Sequence, residues 1–183
     1  IDDALKLGCA AIGFTIYPGS DHNFSLMEEY RELSHEAKAK GLAVVLWAYA
    51  RGTNISKKGE TAMNIISYAA HMSALLGANI IKVKLPSDFL EEDPTKAAFE
   101  NNKIAIGSLK ERVAHIKKVA FEGKRLVVFS GGDAKDDNAL MEEIKAIHLG
   151  GGNGSIIGRN CFQRTREDSL NLLDQMIQIY KSK

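Results

Sequence analysis

Residues 79–88 read NIIKVKLPSD, and the fold turns on how that stretch is built. Ile80, Ile81, Val83 and Leu85 describe a buried strand, yet Lys82 and Lys84 sit inside it. Side chains alternate across a strand, so both ammonium groups leave by one face and Ile81, Val83 and Leu85 by the other. Taking one amine out of water is costly, and placing two side by side is costlier. Such a strand needs helices over its apolar face and a pocket that uses amines over the other.

Working outward, the chain repeats this plan. Strand-like runs occupy 10–18 (AAIGFTIYP), 43–50 (AVVLWAYA), 79–85 (NIIKVKL), 125–132 (RLVVFSGG) and 154–160 (GSIIGRN). They are nearly continuous in aliphatic and β-branched residues, as parallel strands covered by helices are. Helix signals lie between them. Ser25 with Glu28 and Ser108 with Glu111 have capping-box spacing. Gly41, Gly77, Gly123 and Gly150 follow apolar-periodic segments, where left-handed C-caps are expected. In the last segment, EDSLNLLDQMIQIYKSK, the periodicity predicts an apolar stripe of Leu170, Leu173, Met176 and Ile177. The stretch 86–107 reads as the longest irregular piece.

Strand–helix units of this length make a parallel sheet, either an open doubly wound sheet or a (β/α)8 TIM barrel. A whole barrel takes about 250 residues. These 183 hold five units and no linker, so 1–183 reads as one domain. The pattern alone admits both architectures. The start, IDDALKLGCAAIGF, has neither an initiator Met nor a signal peptide and begins within a helix, which predicts an earlier part of the polypeptide.

Composition narrows the function. With 24 basic and 23 acidic residues the net charge is +1, so no global field recruits nucleic acid or an anionic membrane, and any anion site is local. No apolar run reaches the roughly 18 residues of a membrane helix. Cys9 and Cys161 are far apart and read as reduced apolar residues of a cytoplasmic protein. The five histidines are scattered and no metal-ligand spacing appears, so neither metal nor cofactor is expected.

In both architectures chemistry sits at the carboxyl ends of the strands. There the second strand carries Trp47, Tyr49 and Arg51 on one face, and the third Lys82 and Lys84. The fourth ends in Ser130-Gly131-Gly132 and the fifth in Gly158-Arg159-Asn160. Singly these are bland: a Trp packs, a Tyr bonds backbone, an Arg makes a salt bridge, a Gly-Gly turns. Together they converge on one pocket. The glycine loops and a guanidinium at the last two strand ends suit a phosphate. They are no dinucleotide loop, because Gly152 and Gly154 precede their strand rather than follow one. A neutral amine attacks carbonyls, and both desolvation and a neighbouring cation favour the neutral form. A Lys-x-Lys strand beside a phosphate site therefore points to imine chemistry on a phosphorylated ketone or ketose, with Tyr49 moving protons. Strand parity does not choose between Lys82 and Lys84.

The stretches GFTIYPGS, VVLWAYARG, ETAMNIISYAAHMSALLGANIIKVKLP, VVFSGGDAK and GSIIGRNCFQR resemble, in order, class I fructose-bisphosphate aldolases of the archaeal type, in a bacterial-looking variant. The resemblance implies a TIM barrel of which this chain holds the last five strand–helix units, and so decides the architecture. It implies reversible, metal-independent cleavage of fructose 1,6-bisphosphate into dihydroxyacetone phosphate and glyceraldehyde 3-phosphate in glycolysis and gluconeogenesis. A related lyase or transferase on another phosphosugar and a non-catalytic phosphosugar-binding module are the alternatives. By position it makes Lys82 the imine lysine, Lys84 its charged neighbour, and Tyr49 the proton-transfer group. Trp47 shapes the pocket and Arg51 reaches the far phosphate. Ser130, Gly131, Gly132, Gly158 and Arg159 bind the phosphate of the dihydroxyacetone half. It also implies a homo-oligomer. The family's substrate-contacting aspartate lies on a first strand that has no counterpart here.

Overall fold

A computed structural model describes residues 1–132 and 135–182; Asp133 and Ala134 of the SGGDAK stretch, and Lys183, lie outside them. The elements run α1 (Asp2–Lys6), β1 (Ala11–Ile16), α2 (Asn23–Ala39), β2 (Ala43–Ala48), a 3-10 turn (Gly59–Thr61), α3 (Met63–Leu75) and β3 (Ile80–Lys84). Then come α4 (Asp93–Asn101), α5 (Leu109–Val119), β4 (Leu126–Ser130), α6 (Asp137–Leu149), β5 (Gly154–Ile156), α7 (Gly158–Phe162) and α8 (Arg166–Lys181).

The sheet order is β1-β2-β3-β4-β5, all parallel, each strand beside its sequence neighbours. A doubly wound sheet reverses direction midway to place helices on both faces. This one never reverses. Val44, Leu46, Ala48, Ile81, Val83, Val127 and Phe129 are fully buried and share one core with Tyr30 and Ala37 of α2, Ile66 and Ala70 of α3, and Ile116 of α5. Each such aliphatic or aromatic residue contributes about 1.5–3 kcal/mol by leaving water. The opposite strand face, with Val45, Trp47, Lys82, Lys84, Val128 and Ser130, is half-buried. Helices on one face only, with the strands in sequence order, form the wall of a barrel.

The helix ends follow the sequence in part. Ser108 and Glu111 form the capping box that opens α5. Ser25 and Glu28 do not: α2 begins at Asn23, so Ser25 lies inside the first turn and its hydroxyl donates to His22 O at 2.9 Å. Gly41, Gly77 and Gly123 adopt left-handed conformations after their helices. Gly150 does not, because α6 runs through Leu149 and the left-handed position falls on Gly151 at φ 82°. Gly150 is small for a different reason: a Cβ there would lie 2.7 Å from Lys110 O on α5.

Two expectations are corrected. The α8 stripe is Leu172 and Met176, buried with Leu140, Ile144 and Ile157 and flanked by Ile179 and Tyr180. Leu170, Leu173 and Ile177 of the expected stripe are exposed. The segment carries apolar residues on two sides, and docking on α6 selects one. The stretch 86–107 is not irregular throughout, since it contains α4, opened by an extended Glu92 and Pro94 in the first turn.

Candidate active site

Strand register separates the two lysines. Lys82 pairs laterally with Trp47 of β2, while Lys84, one pleat further on, pairs with Ser130 of β4 and through it with Ile156 of β5. Lys82 Nζ lies 6.0 Å from the Trp47 ring centroid and 5.7 Å from that of Tyr49. These distances are at the outer limit of cation–π attraction, so the rings shield the amine more than they bind its charge. Among the described residues no carboxylate reaches Lys82 to form an ion pair.

Lys84 is placed differently. Its Nζ donates to Glu60 Oε2 at 2.7 Å, and Lys57 Nζ donates to Glu60 Oε1 at 2.9 Å. The hydrogen bond from Lys84, then that from Lys57, pulls the Glu60 carboxyl down to about 2. Glu60 rides on the 3-10 turn after β2, and that loop is stapled to the one after β3. Ser87 N donates to Thr61 O at 2.8 Å and Met63 N to Phe89 O at 2.8 Å. The Glu91 carboxylate accepts from Ser56 N at 2.7 Å and Ser56 Oγ at 2.8 Å. Glu60 is thus aimed at Lys84 by a braced loop pair.

A cavity of about 650 Å³ opens at the carboxyl ends of the strands. Of the residues singled out in the sequence, Tyr49, Arg51, Lys82, Lys84, Ser130, Gly131, Gly132, Gly158 and Arg159 line it, and Trp47 and Asn160 do not. Trp47 lines an adjoining cleft with Gly13, Thr15 and Tyr49 and adds its ring to the wall beside Lys82. Its seat depends on Gly13, where a Cβ would lie 2.0 Å from the indole.

The phosphate end is built by close approach. A Cβ at Gly131 would lie 2.9 Å from Ile157 Cγ2, so glycine is needed for β4 and β5 to close up. The Gly131 N–H donates to Ile156 O at 3.0 Å and is committed to the backbone, so this glycine supplies room rather than a donor. Arg159 Nη2 donates to Gly132 O at 2.9 Å, which ties the two phosphate-end loops together. Leu85, expected on the helix face, packs against the helix-side core and also lines the cavity, because β3 ends at Lys84.

Sequence reasoning missed Glu60, Thr61, Lys135 and Glu143, all at or lining the cavity. Lys135 pairs with Glu143 of α6, and its backbone N–H donates to the Asn160 side chain at 2.8 Å. No local signal marks any of them. Among the described residues no group of His, Cys, Asp and Glu could hold a metal ion, and no helix is long and apolar enough to cross a membrane.

The sequence profile of the DeoC/LacD family aldolases matches residues 1–164. The chain belongs to that family. It is similar to the class 1 fructose-bisphosphate aldolase of Halobacterium salinarum, at 33% identity over 164 residues, covering 90% of this chain and 53% of that protein. A probable class 1 fructose-bisphosphate aldolase of Chlamydia muridarum is 29% identical over 194 residues, covering 98% and 54%. Among solved structures, an archaeal fructose-1,6-bisphosphate aldolase superimposes with a TM-score of 0.80 at 27% identity, covering 100% of this chain and 62% of that one. That structure holds its catalytic Lys covalently bound to the carbinolamine intermediate of the substrate. The chain spans about half the length of the curated relatives it matches.

Proposed function

We propose that this chain carries the lysine-imine centre of a class I aldolase that reversibly cleaves fructose 1,6-bisphosphate. The observation that carries the reading is the contrast within the lysine pair: Lys84 is committed to Glu60, whereas Lys82 faces the cavity between aromatic rings. An ammonium held by a carboxylate does not give up its proton to become a nucleophile, so Lys82 is the attacking amine.

Lys82 Nζ adds to the C2 carbonyl of the ketose, and the resulting carbinolamine loses water to give a protonated imine. Tyr49 takes the proton of the C4 hydroxyl. The C3–C4 electron pair flows into the imine, and glyceraldehyde 3-phosphate leaves. Tyr49 returns that proton to C3 of the enamine, and water then releases dihydroxyacetone phosphate and frees Lys82. Ser130, Gly132, Gly158 and Arg159 hold the phosphate of the dihydroxyacetone half, and Gly131 leaves the room for it. Arg51, whose guanidinium stacks 5.2 Å over the Tyr17 ring, reaches the far phosphate. Trp47 orients the ketose beside Lys82, and Lys84 supplies a fixed positive charge one pleat nearer the phosphate end.

The resemblance to archaeal-type aldolases supports the finer statements: a cytoplasmic enzyme of glycolysis and gluconeogenesis, a homo-oligomer, and residues 1–183 as the last five of eight barrel units. The test is cleavage of fructose 1,6-bisphosphate followed by coupled NADH oxidation in the presence of EDTA. Activity that persists with chelator and disappears in Lys82→Met supports the reading. Activity abolished by chelator and restored by a divalent ion overturns it.

A further inference from the structure

We propose that Glu60 is a positioning residue of this site: its carboxylate anchors and offsets the Lys84 ammonium, and thereby sets the pH at which the Lys82 amine becomes reactive. The inference deepens the lysine-imine reading and rests on it.

The pair is not an ordinary surface salt bridge. The Lys84 and Glu60 side chains are only 21% and 18% exposed, at the cavity rather than on the outer helices. Glu60 also accepts from Lys57, and its loop is fixed by the bonds that Ser87 and Met63 donate and that Glu91 accepts from Ser56. Glu60 stays ionised far into acid, because the two lysine hydrogen bonds hold its carboxyl at about 2. The arrangement is therefore a permanent negative charge on one member of a lysine pair.

What this does to the other member follows from spacing. Residues i and i+2 of a strand share a face about 7 Å apart. At that distance a bare Lys84 charge disfavours the ammonium form of Lys82, and a carboxylate bound to Lys84 cancels part of that effect. Among the described residues, the other charged or titratable groups facing the cavity are Tyr49 and Arg51 from the segment after β2, Lys135 and Glu143 from the α6 side, and Arg159 from α7. Lys135 and Glu143 pair with each other, and Arg159 is tied to Gly132 O. Glu60 is the carboxylate hydrogen-bonded to the lysine strand.

The experiment is competitive acetylation with acetic anhydride across about pH 6 to 11, the range over which a lysine amine titrates. The Lys82 peptide is quantified by mass spectrometry, without substrate. Glu60→Gln keeps an acceptor for Lys84 and removes the charge, so the midpoint of Lys82 labelling should move to lower pH by about half a unit. Glu60→Asp should bring it back toward wild type, and Lys84→Met should move it to higher pH. A midpoint that stays put or rises in a folded Glu60→Gln variant overturns the proposal. If that variant does not fold by near-ultraviolet circular dichroism, Lys84→Met decides: a rise supports the coupling and no change overturns it. Because the labelling needs no substrate, a chain that never forms an imine with dihydroxyacetone phosphate yet shows these shifts loses the aldolase reading and keeps the coupling.

Discussion

The two ends of the sheet use polar side chains in opposite ways. At the amino ends, polar groups close the backbone. Asn79 Oδ1 accepts from Val44 N at 2.9 Å, Asn153 Oδ1 accepts from Val127 N at 2.9 Å, and Lys117 Nζ donates to Arg125 O at 2.9 Å. Burial holds the Lys117 amine below its ordinary range, and its partners are all oxygen acceptors. At the carboxyl ends, Lys82 is presented to a cavity between two rings, and Gly131, Gly132 and Gly158 line that cavity. Both ends carry lysines, so residue type does not separate structure from chemistry. What separates Lys117 from Lys82 is that the Lys117 amine is spent on oxygen acceptors, whereas Lys82 faces the cavity.

Substitutions at each end sharpen that contrast. The largest effect is expected for Tyr49→Phe, which removes the proton-transfer group. Cleavage should fall on the order of 10²–10⁴-fold while imine formation on Lys82 persists. Steady-state rates and borohydride trapping on the same sample check it, and wild-type turnover would refute the role. Gly13→Ala comes next, because its methyl group enters the Trp47 ring and the indole must shift. Overpacking of this kind costs about 2–3 kcal/mol, read from urea unfolding, and should raise KM through the displaced wall beside Lys82.

Asn153→Ala probes the other end. It strips the Val127 N–H of its side-chain acceptor and should cost about 1–2 kcal/mol of stability while trapping at Lys82 proceeds as before. Loss of trapping in a folded Asn153→Ala protein would erase the distinction between the ends. The smallest effect concerns acid. The folded Glu60 carboxyl sits near 2 against 4.5 for the free group, so it favours the folded state fully above about 4.5. That contribution is lost as pH falls toward about 2, because the unfolded chain takes up the proton first. The stability of Glu60→Gln, read from urea unfolding at a series of pH values, should therefore depend less steeply on pH across this window than that of wild type.

Much of this was legible from spacing. Period-two alternation in NIIKVKLP separates Ile81 and Val83 from Lys82 and Lys84, and the structure keeps that division. Tyr49 and Arg51, read from the same alternation, line one cavity although β2 ends at Ala48. Leu85, past the end of β3, serves both sides: it packs against the helix-side core and also lines the cavity. Glu60 was illegible as a site residue because its partner Lys84 is 24 residues away in the sequence. Gly13 reads as one more strand residue until the indole of Trp47 is seen above it. In α8 the amphipathic rule offered two apolar stripes, and only the face of α6 decides between Leu172–Met176 and Leu170–Ile177. Local periodicity reports which face a side chain takes, whereas contacts between distant loops carry no periodic signal.

The most direct test of the central claim is to reduce the protein with borohydride in the presence of dihydroxyacetone phosphate and map the adduct by peptide mass spectrometry. The account predicts a single covalent modification on Lys82, with Lys84 unmodified and still paired with Glu60. An adduct on Lys84, or none on a folded chain, would contradict it.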